Sequence, residues 1–258
     1  MQLHIHDVVV INCEKSSVLN VPWSVVLIDI LRRTIIENAM SKEKISDSVS
    51  VLLELIEVSI HCILYARKIY PEGIFELKKK YNVPVHVSIY PKLNSYINGT
   101  LNAVKSLLKF KKLCKLDVCF YNKMGVAVER FVFNIRNVEL ELNLLDFSNL
   151  RDPYLVKLEQ MLRAFCLKLT VCDSLLKPLP SSCTFQIHIH TTETNSIEIQ
   201  KDTEEFPLIP SEKKDTILTS PAVVPMRSID CEHLNLEIYA EEGNKDEDPD
   251  LFTPSPLL

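Results

Sequence analysis

Apolar residues at positions 51, 52, 55, 56, 58, 60, 63, 64 and 69 cover nearly every side of a helix predicted over residues 48–70. A helix that is apolar all round belongs in the middle of a domain. Pro71 and Gly73 stop it, and Val83 to Tyr90 reads as a strand entering a second helix, Pro91 to about Lys109. Apolar alternation in Leu116 to Tyr121 and in Val126 to Ile135, on either side of Asn122-Lys123-Met124-Gly125, predicts a β-hairpin. A third helix starts near Asp152-Pro153, carries Leu155, Leu158, Met161, Leu162, Phe165 and Leu169 at helical spacing, and ends near Leu176. Strands are predicted at Thr184 to His190 and Leu234 to Ala240. Between them about 40 residues carry Pro207, Pro210, Pro221 and Pro225 with little periodicity. A connection of that length in a compact domain is functional or disordered.

The first 47 residues look like an extension. They hold a strand-like run, Val8 to Ile11, a short helix from Trp23 to Asn38, and a polar link, Ser41 to Lys44. An acidic tail runs on from Glu241, with too much Asp, Glu and Pro to support a core.

Composition narrows the function classes. The chain has 258 residues, 47% hydrophobic and 24% charged, enough to bury a core without disulfides or a metal. It has only 4 glycines, no two closer than 26 positions, so phosphate-cradling and dinucleotide-binding loops are excluded. Net charge is -5, which does not favour direct, strong nucleic-acid binding. The charge is uneven: 24 basic against 19 acidic residues up to position 194, then 5 against 15. The acidic last quarter reads as a solvated surface and tail, or as a segment that docks on the more basic body. The eight cysteines form no C-x-x-C pair and sit in apolar runs, as expected of buried free thiols in a reducing compartment. No membrane segment is expected, because the run Val25 to Ile28 is broken by Asp29, Arg32 and Arg33.

Candidate chemistry is sparse. His4-Ile5-His6 and His188-Ile189-His190 place two imidazoles on one face of a strand, a spacing that can chelate a metal, but neither pair has an evident third ligand. Both are read as solvent-facing strand residues. Catalysis by a cysteine is disfavoured, since apolar neighbours raise a thiol pKa. Lys78 to Lys80 and Lys105, Lys109, Lys111, Lys112 and Lys115 are read as complements to helix C-termini, with weak DNA contact as the alternative.

Several longer blocks carry a resemblance: Glu57 to Tyr65, Tyr70-Pro71-Glu72-Gly73-Ile74-Phe75, Lys79 to Val85, Val128 to Phe133, Glu159 to Phe165, Val171-Cys172-Asp173 and Cys183-Thr184-Phe185. In their order and spacing they resemble the HORMA family, in the branch of the accessory, non-catalytic subunit of DNA polymerase zeta, over about residues 48 to 242. The resemblance implies an α+β fold of three helices on a mainly antiparallel sheet. Residues 1–47 stay unassigned, 48–242 form the domain with a safety belt at about 192–240, and 243–258 form a disordered acidic tail.

It also implies an adaptor without an active site, cofactor or metal, in which the belt closes over a proline-containing peptide of the polymerase's catalytic subunit. Tyr96 matches the aromatic that packs on that peptide, and Phe206, Pro207 and Leu208 match its belt contacts, Leu208 standing where the family has tryptophan. Val223, Glu237 and Tyr239 match a surface for the Rev1 C-terminal domain, with Glu237 replacing an amide. Arg163 matches an arginine used in HORMA dimers, its alternative being a surface ion pair. Further partners implied are shieldin-like end-protection proteins, anaphase-promoting-complex activators and an AAA+ remodeller. The nucleus is the expected location, with cytoplasm and spindle as further sites. The alternative functions are a spindle-checkpoint-type adaptor acting on the anaphase-promoting complex, and an enzyme built on the histidine pairs or Cys172.

Overall fold

A computed structural model describes residues 8–12, 47–138, 153–191, 208–210, 217–218, 220–230 and 234–243. The expected Trp23 to Asn38 helix, the His4/His6 pair, Phe206 and Pro207 lie outside the described residues. Three helices are described: α1 (Asp47–Ala66), α2 (Pro91–Lys109) and α3 (Pro153–Thr170). The strands are β1 (Val8–Asn12), β2 (Phe75–Lys80), β3 (Val83–Ser88), β4 (Leu113–Tyr121), β5 (Ala127–Val138), β6 (Thr184–Thr191), β7 (Leu208–Pro210), β8 (Ala222–Asp230) and β9 (Leu234–Glu242). Seven of them form one sheet in the order β7-β1-β6-β4-β5-β9-β8, while β2 and β3 form a separate hairpin.

The all-round apolar helix is the centre of the molecule. Leu52, Leu55, Ile56, Ile60, Ile63 and Leu64 of α1 are fully buried, each contributing about 1.5–3 kcal/mol by leaving water. By length and composition alone α1 could cross a membrane, but most of it is buried within the core. It packs on α2, α3 and β3, and the alternate residues Leu116, Val118, Phe120, Phe131, Phe133, Phe185, Ile187 and Ile189 of the large sheet join the same cluster. The helix stops at Ala66 rather than near Tyr70, because Lys68 adopts a left-handed φ of 54°. The third helix likewise ends at Thr170 and yields to a 3-10 turn at Cys172–Leu175.

The lysine triplet is corrected by the structure. Lys78 to Lys80 lie on β2, not at a helix end. A two-residue turn at Tyr81 and Asn82, both with positive φ (48° and 60°), folds β2 onto β3, the backbone that a primed turn requires. Lys78 pairs with Glu76 at 2.7 Å and Lys80 with Glu54 at 2.6 Å. Of the second lysine cluster, Lys109 sits in the last turn of α2 as expected, but Lys115 lies on β4 beside Asp117.

The proline-bearing segment holds more structure than its sequence suggests. β8 spans nine residues, and Pro225 is tolerated because the ladder with β9 shifts register between Pro225 and Arg227. Nor does the acidic tail begin at Glu241: Glu241 and Glu242 complete β9, Glu241 pairing with Arg130 and Glu242 accepting the Lys177 N–H at 2.7 Å. Of the two readings of the acidic last quarter, these β9 carboxylates fit docking on the basic body. Gly243 continues the attachment, donating its N–H to Val128 O at 2.9 Å, where an added Cβ would press on Leu218.

Candidate partner-binding site

The site is the free end of the large sheet as the domain alone would build it, the edge of β6. Its floor comes from α2. Pro91 opens that helix, and the apolar spacing of Leu93, Tyr96, Ile97, Leu101 and Val104 turns these residues inward. Tyr96 is fully buried, its ring edge-on to Phe185 of β6 with centroids 5.8 Å apart. Its hydroxyl accepts the Ile187 N–H at 3.0 Å, adjacent to His188, where the pairing between β6 and β1 begins. The side chain expected to touch a partner peptide thus reaches the sheet edge through its hydroxyl and the β6 backbone.

Outside β6 lies β1, parallel, with Val9, Val10, Ile11 and Asn12 in register with His188, Ile189, His190 and Thr191. β7 closes the outer side, also parallel, with Leu208, Ile209 and Pro210 facing Val8, Val9 and Val10. The strand-like run at the start of the chain is therefore part of the main sheet and not a separate extension. Leu208, at the belt position where the family has tryptophan, stands in register with Val8.

The second face of the sheet, away from the helices, holds an unexpected polar cluster. His188 and His190 are buried rather than solvent-facing. His190 Nε2 donates to Asp117 Oδ2 at 2.6 Å, and the Tyr121 hydroxyl bonds His188 Nε2 at 3.0 Å. Burial pushes the Asp117 carboxyl up, but the hydrogen bond and charge of His190, with Lys115 and Arg130, outweigh it and hold the pKa below its usual value. Burial pulls the His188 imidazole down to about 4, so this ring is neutral. Among the described residues no group of three or more candidate ligands is placed to hold a metal. Cys172 is buried, and its thiol is pushed up to about 12, chiefly by burial, which removes the thiolate a nucleophile needs. Cys119 and Cys166 are raised to about 12 by the same cause.

At the opposite end of the sheet, β8 and β9 pair with each other and β9 pairs with β5. Glu237 and Tyr239 share one face of β9, and Val223, opposite Glu241 in β8, lies on that face too. Val223 is 60% exposed, Glu237 pairs with Arg136 and Tyr239 is half-buried. The three residues expected to meet a scaffold therefore share a surface. Arg163 makes the ion pair given as its alternative, with Glu159 one turn earlier at 3.5 Å.

One cluster escaped the sequence reading. Arg67, buried at the end of α1, donates to both oxygens of the buried Glu129 at 2.8 and 2.9 Å, to Asp173 at 2.6 Å and to Lys177 O at 2.6 Å. It joins α1, β5 and the turn after α3 at the point where Glu242 fastens β9. The signal was present in Glu129, a carboxylate on the apolar face of an alternating strand.

The model of the HORMA domain matches residues 48–233. The chain belongs to the HORMA family. It is 41% identical over 194 residues to the human "Mitotic spindle assembly checkpoint protein MAD2B", covering 74% of this chain and 89% of that protein. It is 31% identical over 193 residues to the Drosophila melanogaster "DNA polymerase zeta subunit 2", covering 73% and 94%. A solved structure of C. elegans HTP-2 bound to HIM-3 closure motif shares the fold, with a TM-score of 0.56 at 14% identity, over 76% of this chain and 90% of that one. The three helices on a mainly antiparallel sheet, as the HORMA resemblance implied, are the observed architecture.

Proposed function

We propose that this HORMA chain is a non-catalytic adaptor that pairs the edge of β6 with a proline-containing, extended segment of the DNA polymerase zeta catalytic subunit, closes β7 over it, and offers the β8–β9 face to the Rev1 C-terminal domain in the nucleus. The observation that carries the reading is the geometry of that edge: a strand position flanked by β6 on one side and by a belt segment on the other. Strand addition gives affinity through backbone hydrogen bonds. A segment enclosed on both edges leaves only when the belt opens, so release is slow. The name of one relative, a DNA polymerase zeta subunit, supports a partner within that polymerase. Val223, Glu237 and Tyr239, set apart from the β6 edge at the other end of the sheet, leave room for polymerase and scaffold to bind together.

The test is binding of a synthetic segment of the same organism's polymerase zeta catalytic subunit to the full chain, with Tyr96→Phe and Val223→Asp variants. Tyr96→Phe keeps the ring and removes the bond to Ile187, so it is expected to speed release of the polymerase segment, while Val223→Asp leaves that binding intact and weakens Rev1. Absence of binding to the folded chain, together with capture of anaphase-promoting-complex activators, would transfer the site to the checkpoint function named in the human relative.

A further inference from the structure

The strand that fills the partner position is the chain's own. β1 lies outside the residues matched by the HORMA model, yet it stands between β7 and β6 in the large sheet and is hydrogen-bonded on both edges. Its sequence, Val8-Val9-Val10-Ile11-Asn12, is dominated by β-branched residues, the best strand formers. Residues 13–46 join it to α1. At about 3.3 Å per residue they can span on the order of 110 Å when fully extended. We propose that residues 8–12 are a built-in competitor, a tethered strand that occupies the β6 edge beneath β7 and has to leave before a partner strand pairs there. The proposal rests on the β6 edge being the partner site.

The energetics favour exchange over permanent closure. β1 is held by parallel ladders of four residue pairs to β6 and three to β7, and parallel pairs are slightly weaker than antiparallel ones. Tethering nonetheless supplies the segment at an effective concentration on the order of millimolar. A partner's apparent affinity is lowered by the fraction of molecules whose edge is already filled. The partner that wins is an extended segment, apolar and β-branched at its core, with enough further contacts to overcome the tether.

The test uses the full chain, wild type and Val9→Pro, with Val9→Ile as the conservative control. Because β1 has a neighbour on each side, a proline in its middle removes a ladder hydrogen bond whichever way the amide points. The first probe is a labelled synthetic peptide of residues 1–20. It is expected to bind Val9→Pro at least about tenfold more tightly than wild type or Val9→Ile. Hydrogen exchange is expected to show slow amides at 10–12 in wild type and fast ones in Val9→Pro, with α1 and β4 protected in both. Free-peptide exchange rates at 10–12 in the wild type would overturn the proposal, as would equal binding of the probe to all three proteins, or to none. So would a dimer of the wild type that Val9→Pro dissolves, since the strand would then come from a second copy. The polymerase zeta segment is the second probe. If it binds no form while the first probe behaves as expected, the partner assignment fails and the competitor remains. If it binds wild type and Val9→Pro equally, the competitor fails and the partner assignment remains.

Discussion

At one end of the seven-stranded sheet, β8 and β9 form an antiparallel hairpin paired along nearly their whole length and tied to β5 through Arg130–Glu241 and Arg136–Glu237, with the buried Arg67–Glu129 pair close to the end of β9. At the other end, β1 and β7 are attached by short parallel ladders of segments far apart in sequence. The first end closes locally, through a hairpin and charge pairs that fold with the domain. The second closes only when two segments far apart in sequence meet, and it is β1 that the proposal exchanges for another extended chain beneath β7. Among the described residues, charge pairs hold the β8–β9 end, and the β1–β7 end is described by backbone pairing.

The contrast breaks most sharply at Arg67. Arg67→Ala takes the guanidinium away from the buried Glu129 carboxylate, and breaking such a buried pair costs about 3–5 kcal/mol. Urea denaturation should show that drop in global stability, and a loss below about 1 kcal/mol would mean that the cluster does not anchor the β9 end.

Acid comes next. Burial holds the His61 and His188 imidazoles down at about 4, against about 6.5 in an unfolded chain. Between these values the unfolded chain binds protons that the folded one does not, so this stability is present above pH 6.5 and is lost as pH falls. From pH 7 to pH 5 the loss is about 2 kcal/mol for each ring. Asp117, held below its usual pKa, acts in the same direction at lower pH. Chemical denaturation at the two pH values checks the sign, and constant stability would show both rings to be solvated.

Tyr96→Phe is milder, about 1 kcal/mol for one buried hydrogen bond. Its stability loss should be small beside its effect on release of the bound segment, measured as an off-rate. Smallest is Glu237→Gln, which removes a surface pair with Arg136 worth at most about 1 kcal/mol. Thermal melting should barely move, and a large shift would mean that the hairpin end depends on surface charge as well.

The sequence made the core plain where one physical signal dominated. Eight apolar positions around α1 had no reading other than a buried helix, and the alternation flanking Asn122 to Gly125 located β4 and β5. It hid the features that depend on partners. β2 buries Phe75 and exposes most of its other residues, so its lysines imitated a helix end. β8 was masked by Pro225 because a bulge cannot be seen in one strand alone. His188 and His190 alternate like surface residues, and only the register with β4 brings Asp117 beside them. Val8 to Ile11 was legible as a strand, but nothing in it told which strand it joins. Of the site, the resemblance supplied Tyr96 and the β8–β9 residues, while the role of Arg67 required seeing four distant groups converge.

The most direct measurement is hydrogen exchange of the full chain with and without the polymerase zeta segment, read at residues 10–12, 188–191 and 235–242. Binding is expected to leave β6 and β9 protected while the amides at 10–12 lose their protection, because one strand has replaced another at the same edge. A segment that binds while 10–12 stay protected would contradict strand exchange and place the partner elsewhere on the domain.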